Sequence, residues 1–197
     1  MNSNFTSLPE PLLAGTPRQT NIEFALGIGV ADHPGHPSLR KLGNFAIPQW
    51  QRDPVWEKAR QIAFIEGIFL GLGTGHFVAS KADWDNDGPM PLSALLIDGQ
   101  QRLTALARFH AGDFAVFGQI RFPDLPLRDR RRRFLHVAFP WIEIPGDNEA
   151  TLKELYRRLN FGGVPHTNSD LARLDPWVGD LRGLVTTPPA AGIRASP

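Results

Sequence analysis

A chain of 197 residues, 42% hydrophobic and 21% charged, has enough material for one domain with a real core and too little for two. No apolar run approaches the roughly 18 residues a membrane helix needs, and the N-terminal MNSNFTSLPEPLLAG lacks the basic start and continuous apolar stretch of a secretion signal, which predicts a cytoplasmic protein. The absence of cysteine removes disulfides, thiolate nucleophiles and cysteine metal sites, and a formal net charge of +1 means that nucleic acid could be attracted only by a local patch.

Along the chain, residues 1–20 are rich in Pro, Ser, Asn and Thr and read as a flexible arm. Ala31 to Ser38 must be a loop, because Pro34, Gly35 and Pro37 interrupt any regular period. Phe45 to Pro48 reads as a short strand ended by its proline. Ala59, Ile62, Ala63, Ile65 and Phe69 recur near helical spacing and predict a helix from Trp56 to Leu70, stopped by Gly71, Gly73 and Gly75. A short apolar run at His76–Ala79 and an Asp/Gly-rich turn follow. Leu92 to Ile97 then reads as a buried strand, and Gln101 to His110 as a helix with Leu103, Leu106, Ala107 and His110 on one face. Phe114 to Phe122 suggests a hairpin around Gly118, and Val137 to Ile144 another strand. Helices are expected over Glu149–Leu159 and Thr167–Leu174, the second opened by the capping sequence Thr167-Asn168-Ser169-Asp170. Residues 186–197 have the composition of a disordered tail, which leaves 21–185 for the folded domain. Short strands alternating irregularly with helices point to an α+β domain with a mixed sheet.

The segment Ile97-Asp98-Gly99-Gln100-Gln101-Arg102 combines four devices that suit a phosphate. The preceding apolar run fixes its position. Gly99 permits a tight turn and close approach to the backbone. The helix that follows presents unpaired N–H groups and the positive end of its dipole. Arg102 adds a planar fork of donors. Asp98 could cap the helix, accept a bond from a ribose or base, or help hold a magnesium ion. The plainer alternative makes Asp98 an N-cap and Arg102 a solvated side chain.

Three blocks in order resemble the N-terminal domain of GmrSD-type modification-dependent restriction enzymes, of the ParB/sulfiredoxin-like superfamily. They are Ile47-Pro48-Gln49-Trp50-Gln51-Arg52-Asp53-Pro54-Val55-Trp56, then Ile97 to Leu103 (IDGQQRL), then Tyr156-Arg157-Arg158-Leu159-Asn160-Phe161-Gly162-Gly163. The resemblance spans about residues 42–175. It implies a ParB/sulfiredoxin-like fold with a nucleoside triphosphate, and Mg2+ with it, where the blocks converge. Gln51 and Arg52 would face this site, with Asp98, Gly99, Gln100, Gln101 and Arg102 at its centre and Asn160 at its edge. His166 stands after Val164-Pro165 where the family usually has an apolar residue, which alters that rim. The sequence holds no His-Asn-His nuclease motif, so DNA cutting is expected from a separate chain. With Gln100 where sulfiredoxin has its cysteine, sulfinic-acid reduction is excluded, and no room remains for the helix-turn-helix domain of chromosome-partition proteins.

Other features weigh less. Arg128, Arg130, Arg131, Arg132 and Arg133, with Arg121 nearby, could contact DNA phosphates, or form a solvated loop beside Asp129. Asp83-Trp84-Asp85-Asn86-Asp87-Gly88 imitates a calcium loop, but its twelfth position is Ala94 and its flanks are strands, so a surface turn is expected. Gly71 to Gly75 ends a helix instead of joining a strand to one, against a dinucleotide loop. His33 and His36 lack a third ligand. Trp50 and Trp56 could stack on a base or pack in the core.

The reading is a stand-alone nucleotide-binding NTPase acting in DNA restriction or its control, compatible with self-association and with a nuclease partner. Arg52 and Arg102 would neutralise phosphate charge, Gln51 or Gln101 would orient the attacking water, and Asp98 would assist through a metal or a hydrogen bond. The rival reading is a non-catalytic module that binds DNA or protein. A ParB-like nuclease is the third, and no clustered carboxylates support it.

Overall fold

In the computed structural model, which describes residues 11–29 and 39–160, no strand exceeds four residues. The sheet is therefore held by burial of both faces more than by long ladders. In chain order the elements are β1 (Thr16–Arg18), α1 (Ile22–Ala25), β2 (Arg40–Leu42), β3 (Phe45–Ile47), α2 (Lys58–Phe69), β4 (Phe77–Ser80), β5 (Trp84–Asp85), β6 (Gly88–Pro89), β7 (Leu96–Asp98), α3 (Gln100–His110), α4 (Leu127–Arg130), β8 (Trp141–Ile144) and α5 (Glu149–Asn160). A 3-10 turn at Phe122–Asp124 precedes α4, and a π-helical turn at Arg131–Leu135 follows it. The domain is α+β, and among the described residues no helix is long and apolar enough to cross a membrane.

The main sheet has the order β1-β8-β4-β7, with β8 and β4 parallel and the outer pairs antiparallel. Alternation along the central strands sends side chains to two cores. Phe77, Ala79, Leu96 and Trp141 meet α2 and α3 through Ile65, Ile68, Leu103, Leu106 and Phe109, together with Phe134 and Phe139. Val78, Ile97 and Ile144 face the other way, onto Trp50 and the α5 residues Leu152, Leu155 and Tyr156. Each large side chain so buried contributes about 1.5–3 kcal/mol, which outweighs the few ladder bonds such short strands make.

Several boundaries differ from the sequence expectation for local reasons. The expected arm is pinned at its end: Thr16–Arg18 pairs with β8, and Arg18 Nη2 donates to Glu143 Oε1 at 2.6 Å. The helix expected from Trp56 begins at Lys58, because Glu57 is still extended. The strand expected from Leu92 begins at Leu96; Ala94, with φ of 51°, lies in a turn before it. The Phe114–Phe122 hairpin reduces to one bridge, Val116 to Ile120, and the strand expected from Val137 begins at Trp141. The calcium-loop imitation is the small β5–β6 hairpin. Residues 161–197, including the expected Thr167–Leu174 helix and the tail, and the loop of His33 and His36, lie outside the described residues.

Candidate functional site

The β4–β7 pairing slips by one residue between Val78 and Ala79, so that Ile97 is the extra residue of a bulge directly before the turn into α3. A bulge frees backbone groups from the ladder. Gln51, 4% exposed, supplies partners, its Nε2 donating to the carbonyls of Leu96 at 2.5 Å and Ile97 at 3.1 Å. The first sequence block is thereby stitched to the second.

At the turn, Gly99 is the N-cap of α3 with φ of 102°. A Cβ built there would lie 2.6 Å from Cβ of Phe77, so both the conformation and the space demand glycine. Asp98 does not cap the helix, and no side chain does. Its carboxylate instead accepts from Arg102 Nη2 at 2.8 Å, one turn away. Both plainer roles are thus corrected: Asp98 is no N-cap, and Arg102 is a partly buried half of an ion pair.

Gln101 lines the cleft and is also bonded across it. Its Oε1 accepts from the backbone N–H groups of Val55 at 2.9 Å and Trp56 at 3.0 Å. With its acceptor taken twice, this glutamine ties the loop after Arg52 to α3. The Trp56 carbonyl is held in turn by Gln61 Nε2 at 2.8 Å, and Gln61 Oε1 by Arg108 Nη1 at 3.0 Å.

These elements enclose a cleft of about 190 Å³. Gln51, Arg52, Asp98, Gly99, Gln100, Gln101, Arg102 and Asn160 all line it, so every residue expected at the site is brought together. Arg158 is not on the lining; its guanidinium and that of Arg157 grip Glu154 and hold its carboxyl below the usual range, the Arg157 hydrogen bond being the larger cause. Residues 161–163 of the third block, and His166, lie outside the described residues.

Among the described residues the lining is electrostatically lopsided, with Arg52, Arg60 and Arg102 against the single carboxylate of Asp98. The starts of α2 and α3 both contribute to it, both without a side-chain capping bond and without an acidic residue in the first turn. Helix starts normally recruit acidic side chains to their dipoles. Here α2 has Glu57 at its N-cap, making no capping bond, and Lys58 and Arg60 in its first turn, an arrangement that an anion would offset. Two buried amide atoms on the cleft wall, Gln51 Oε1 and Gln100 Nε2, have no hydrogen-bond partner among the described residues, one an acceptor and one a donor. Among the described residues no group of three His, Asp or Glu side chains could hold a metal ion.

Sequence reasoning missed Arg60 as a wall residue. The cation in a helix first turn was the available signal. Trp50 is a core residue, packed edge-on against Tyr156 at 5.2 Å, whereas Trp56 is half-buried on the cleft lining. Within the arginine run the roles split. Arg130 turns to the carbonyls of Pro123 and Leu125, and Arg133 donates to the carbonyl of Phe69 at the end of α2. Arg128, Arg131 and Arg132 stay exposed, with no ion pair among the described residues.

Residues 38–135, about half of the chain, match the family model described as GmrSD restriction endonuclease, N-terminal domain. The match contains the first two blocks and stops before α5. No curated protein and no solved structure matches the chain.

Proposed function

Residues 38–135 belong to the GmrSD restriction endonuclease N-terminal domain family, and from that premise we propose that the cleft at Gly99 binds the phosphates of a nucleoside triphosphate in the service of a DNA restriction system. The observation that carries this reading is the meeting, among the described residues, of three arginines and two helix starts without a side-chain capping bond around one carboxylate. Each cation favours an anion in a partly desolvated cleft, and the backbone N–H groups of the first turn of α3 supply donors that no side chain takes.

Asp98 is the one lining carboxylate among the described residues that would hold Mg2+, and a single carboxylate suffices only when phosphate oxygens and waters complete the shell. Bound there, the ion would neutralise phosphate charge. Of the two glutamines considered for orienting an attacking water, Gln51 keeps its Oε1 uncommitted and Gln101 does not. If the site hydrolyses its ligand, Gln51 would align the water only once its buried Oε1 becomes reachable from the cleft. The commitment of Gln101 and of the Asp98–Arg102 pair to internal bonds favours a second reading, a site that binds and senses nucleotide without turning it over. A ParB/sulfiredoxin-like ancestry for the fold, and DNA or a nuclease chain as partner, belong to the same proposal.

Calorimetry of each NTP, with and without Mg2+, tests binding. Arg102→Ala is expected to lower affinity at least tenfold with an unchanged circular dichroism spectrum. Equal affinity would remove the phosphate assignment. Asp98→Asn should raise metal-free affinity by removing a repelling charge, and lower affinity with Mg2+ present if that carboxylate holds the ion. Phosphate release by the wild type, with and without DNA, separates hydrolysis from sensing.

A further inference from the structure

We propose that Trp56 and Arg60 form a base-stacking platform at the mouth of the cleft, so that the site takes a nucleotide and not merely a polyphosphate. This rests on the phosphate reading above and goes beyond it. The cleft holds about 190 Å³, below the roughly 300–1,000 Å³ of a site that engulfs a drug-sized ligand. Phosphates fit inside; a base must lie at the mouth.

Among the described residues two aromatics line the cleft, Tyr156 and Trp56. Tyr156 is 5% exposed and its ring is locked edge-on against Trp50. Trp56 differs. Its indole and the ring of Phe64 meet edge-to-face with centroids 5.6 Å apart, and over the indole stands the guanidinium of Arg60, 4.7 Å from the centroid. A face covered by an exposed arginine, and not by core, is a face that already accepts a flat cationic partner. A nucleobase can take the same place, with the guanidinium moving to the base's outer side, since both surfaces stack on π systems.

The platform is also pre-set. The Trp56 N–H is held by Gln101 and its carbonyl by Gln61, which is braced by Arg108. Gln101 lies beside Arg102 in the first turn of α3, so the platform stands in fixed register with the phosphate turn. Ordering of this kind lowers the entropy lost on binding.

The test compares the affinity of one NTP with that of inorganic triphosphate, by calorimetry on the full chain. Wild type should bind the NTP about tenfold more tightly than triphosphate. Trp56→Leu should bring that ratio close to one by weakening the NTP alone, while Trp56→Phe, which keeps a ring, should retain most of it. If wild type binds triphosphate as tightly as NTP, or if Trp56→Leu weakens both equally, the platform is overturned while the phosphate reading survives. If wild type binds neither, both fall.

Discussion

Gln101 Oε1 accepts a hydrogen bond from the backbone N–H of Trp56 at 3.0 Å, and by that bond a residue of the first turn of α3 positions another wall of the cleft. The same oxygen receives the Val55 N–H, so one side chain spans two sequence blocks some 45 residues apart. The three stretches that suggest a site are thus mechanically one unit. Gln51 joins block one to β7, Gln101 joins it to α3, and Tyr156 packs block three against Trp50.

Gln101→Ala should cost about 1–2 kcal/mol in urea unfolding, because two backbone N–H groups are left without their acceptor. Gln101→Glu keeps both bonds and should stay near wild-type stability, yet bind anions more weakly because it adds a negative charge to the cleft. An alanine variant as stable as wild type would show that the loop does not depend on this side chain.

Gly99→Ala is expected to destabilise the domain by roughly 2–4 kcal/mol, since the residue sits at φ of 102° and its Cβ would press on Cβ of Phe77 at 2.6 Å. That atom is fixed to the β4 backbone and is not a flexible side-chain end that can swing away. The denaturant midpoint is the measurement, and a shift worth under about 0.5 kcal/mol would mean that the turn relaxes freely.

DNA, if bound, should meet Arg128, Arg131 and Arg132, because Arg130 and Arg133 are engaged with backbone carbonyls. Replacing the three exposed residues by glutamine should reduce the slope of log affinity against log salt by about 0.9 for each phosphate that is no longer neutralised. Fluorescence anisotropy on a DNA duplex reads this directly. An unchanged slope would take this face out of DNA recognition.

His110, packed against the ring of Phe122 at 4.6 Å, has its pKa lowered below 6.5 by burial, so the folded state favours the neutral imidazole. The unfolded chain then binds a proton more readily, and stability should fall as pH drops below 6.5 toward the folded value. His110→Gln removes this titration, and its thermal midpoint should vary less over that window. Parallel pH curves for the two proteins would assign the acid sensitivity elsewhere.

The outlines of the helices were legible because amphipathic spacing survives in a linear chain: α2, α3 and α5 all lie within two residues of their expected bounds. Apolar runs marked β4 and β7 for the same reason. The short edge strands β1 and β2 were not legible, since three residues carry no usable period and their pairing depends on partners distant in sequence.

The site divides along the same line. Local chemistry alone determined the turn at Gly99, because glycine's freedom, a buried strand before it and a helix start after it are all encoded within six residues. Only the tertiary structure decided what the surrounding side chains do. It turned Asp98 from a cap into the partner of Arg102, assigned Gln101 to the backbone of Trp56, sorted Trp50 into the core and Trp56 onto the cleft, and brought Arg60 to the wall. A side chain's role follows from which donors and charges lie within about 3 Å of it, and residues 45 apart in the chain become such neighbours only when the sheet closes.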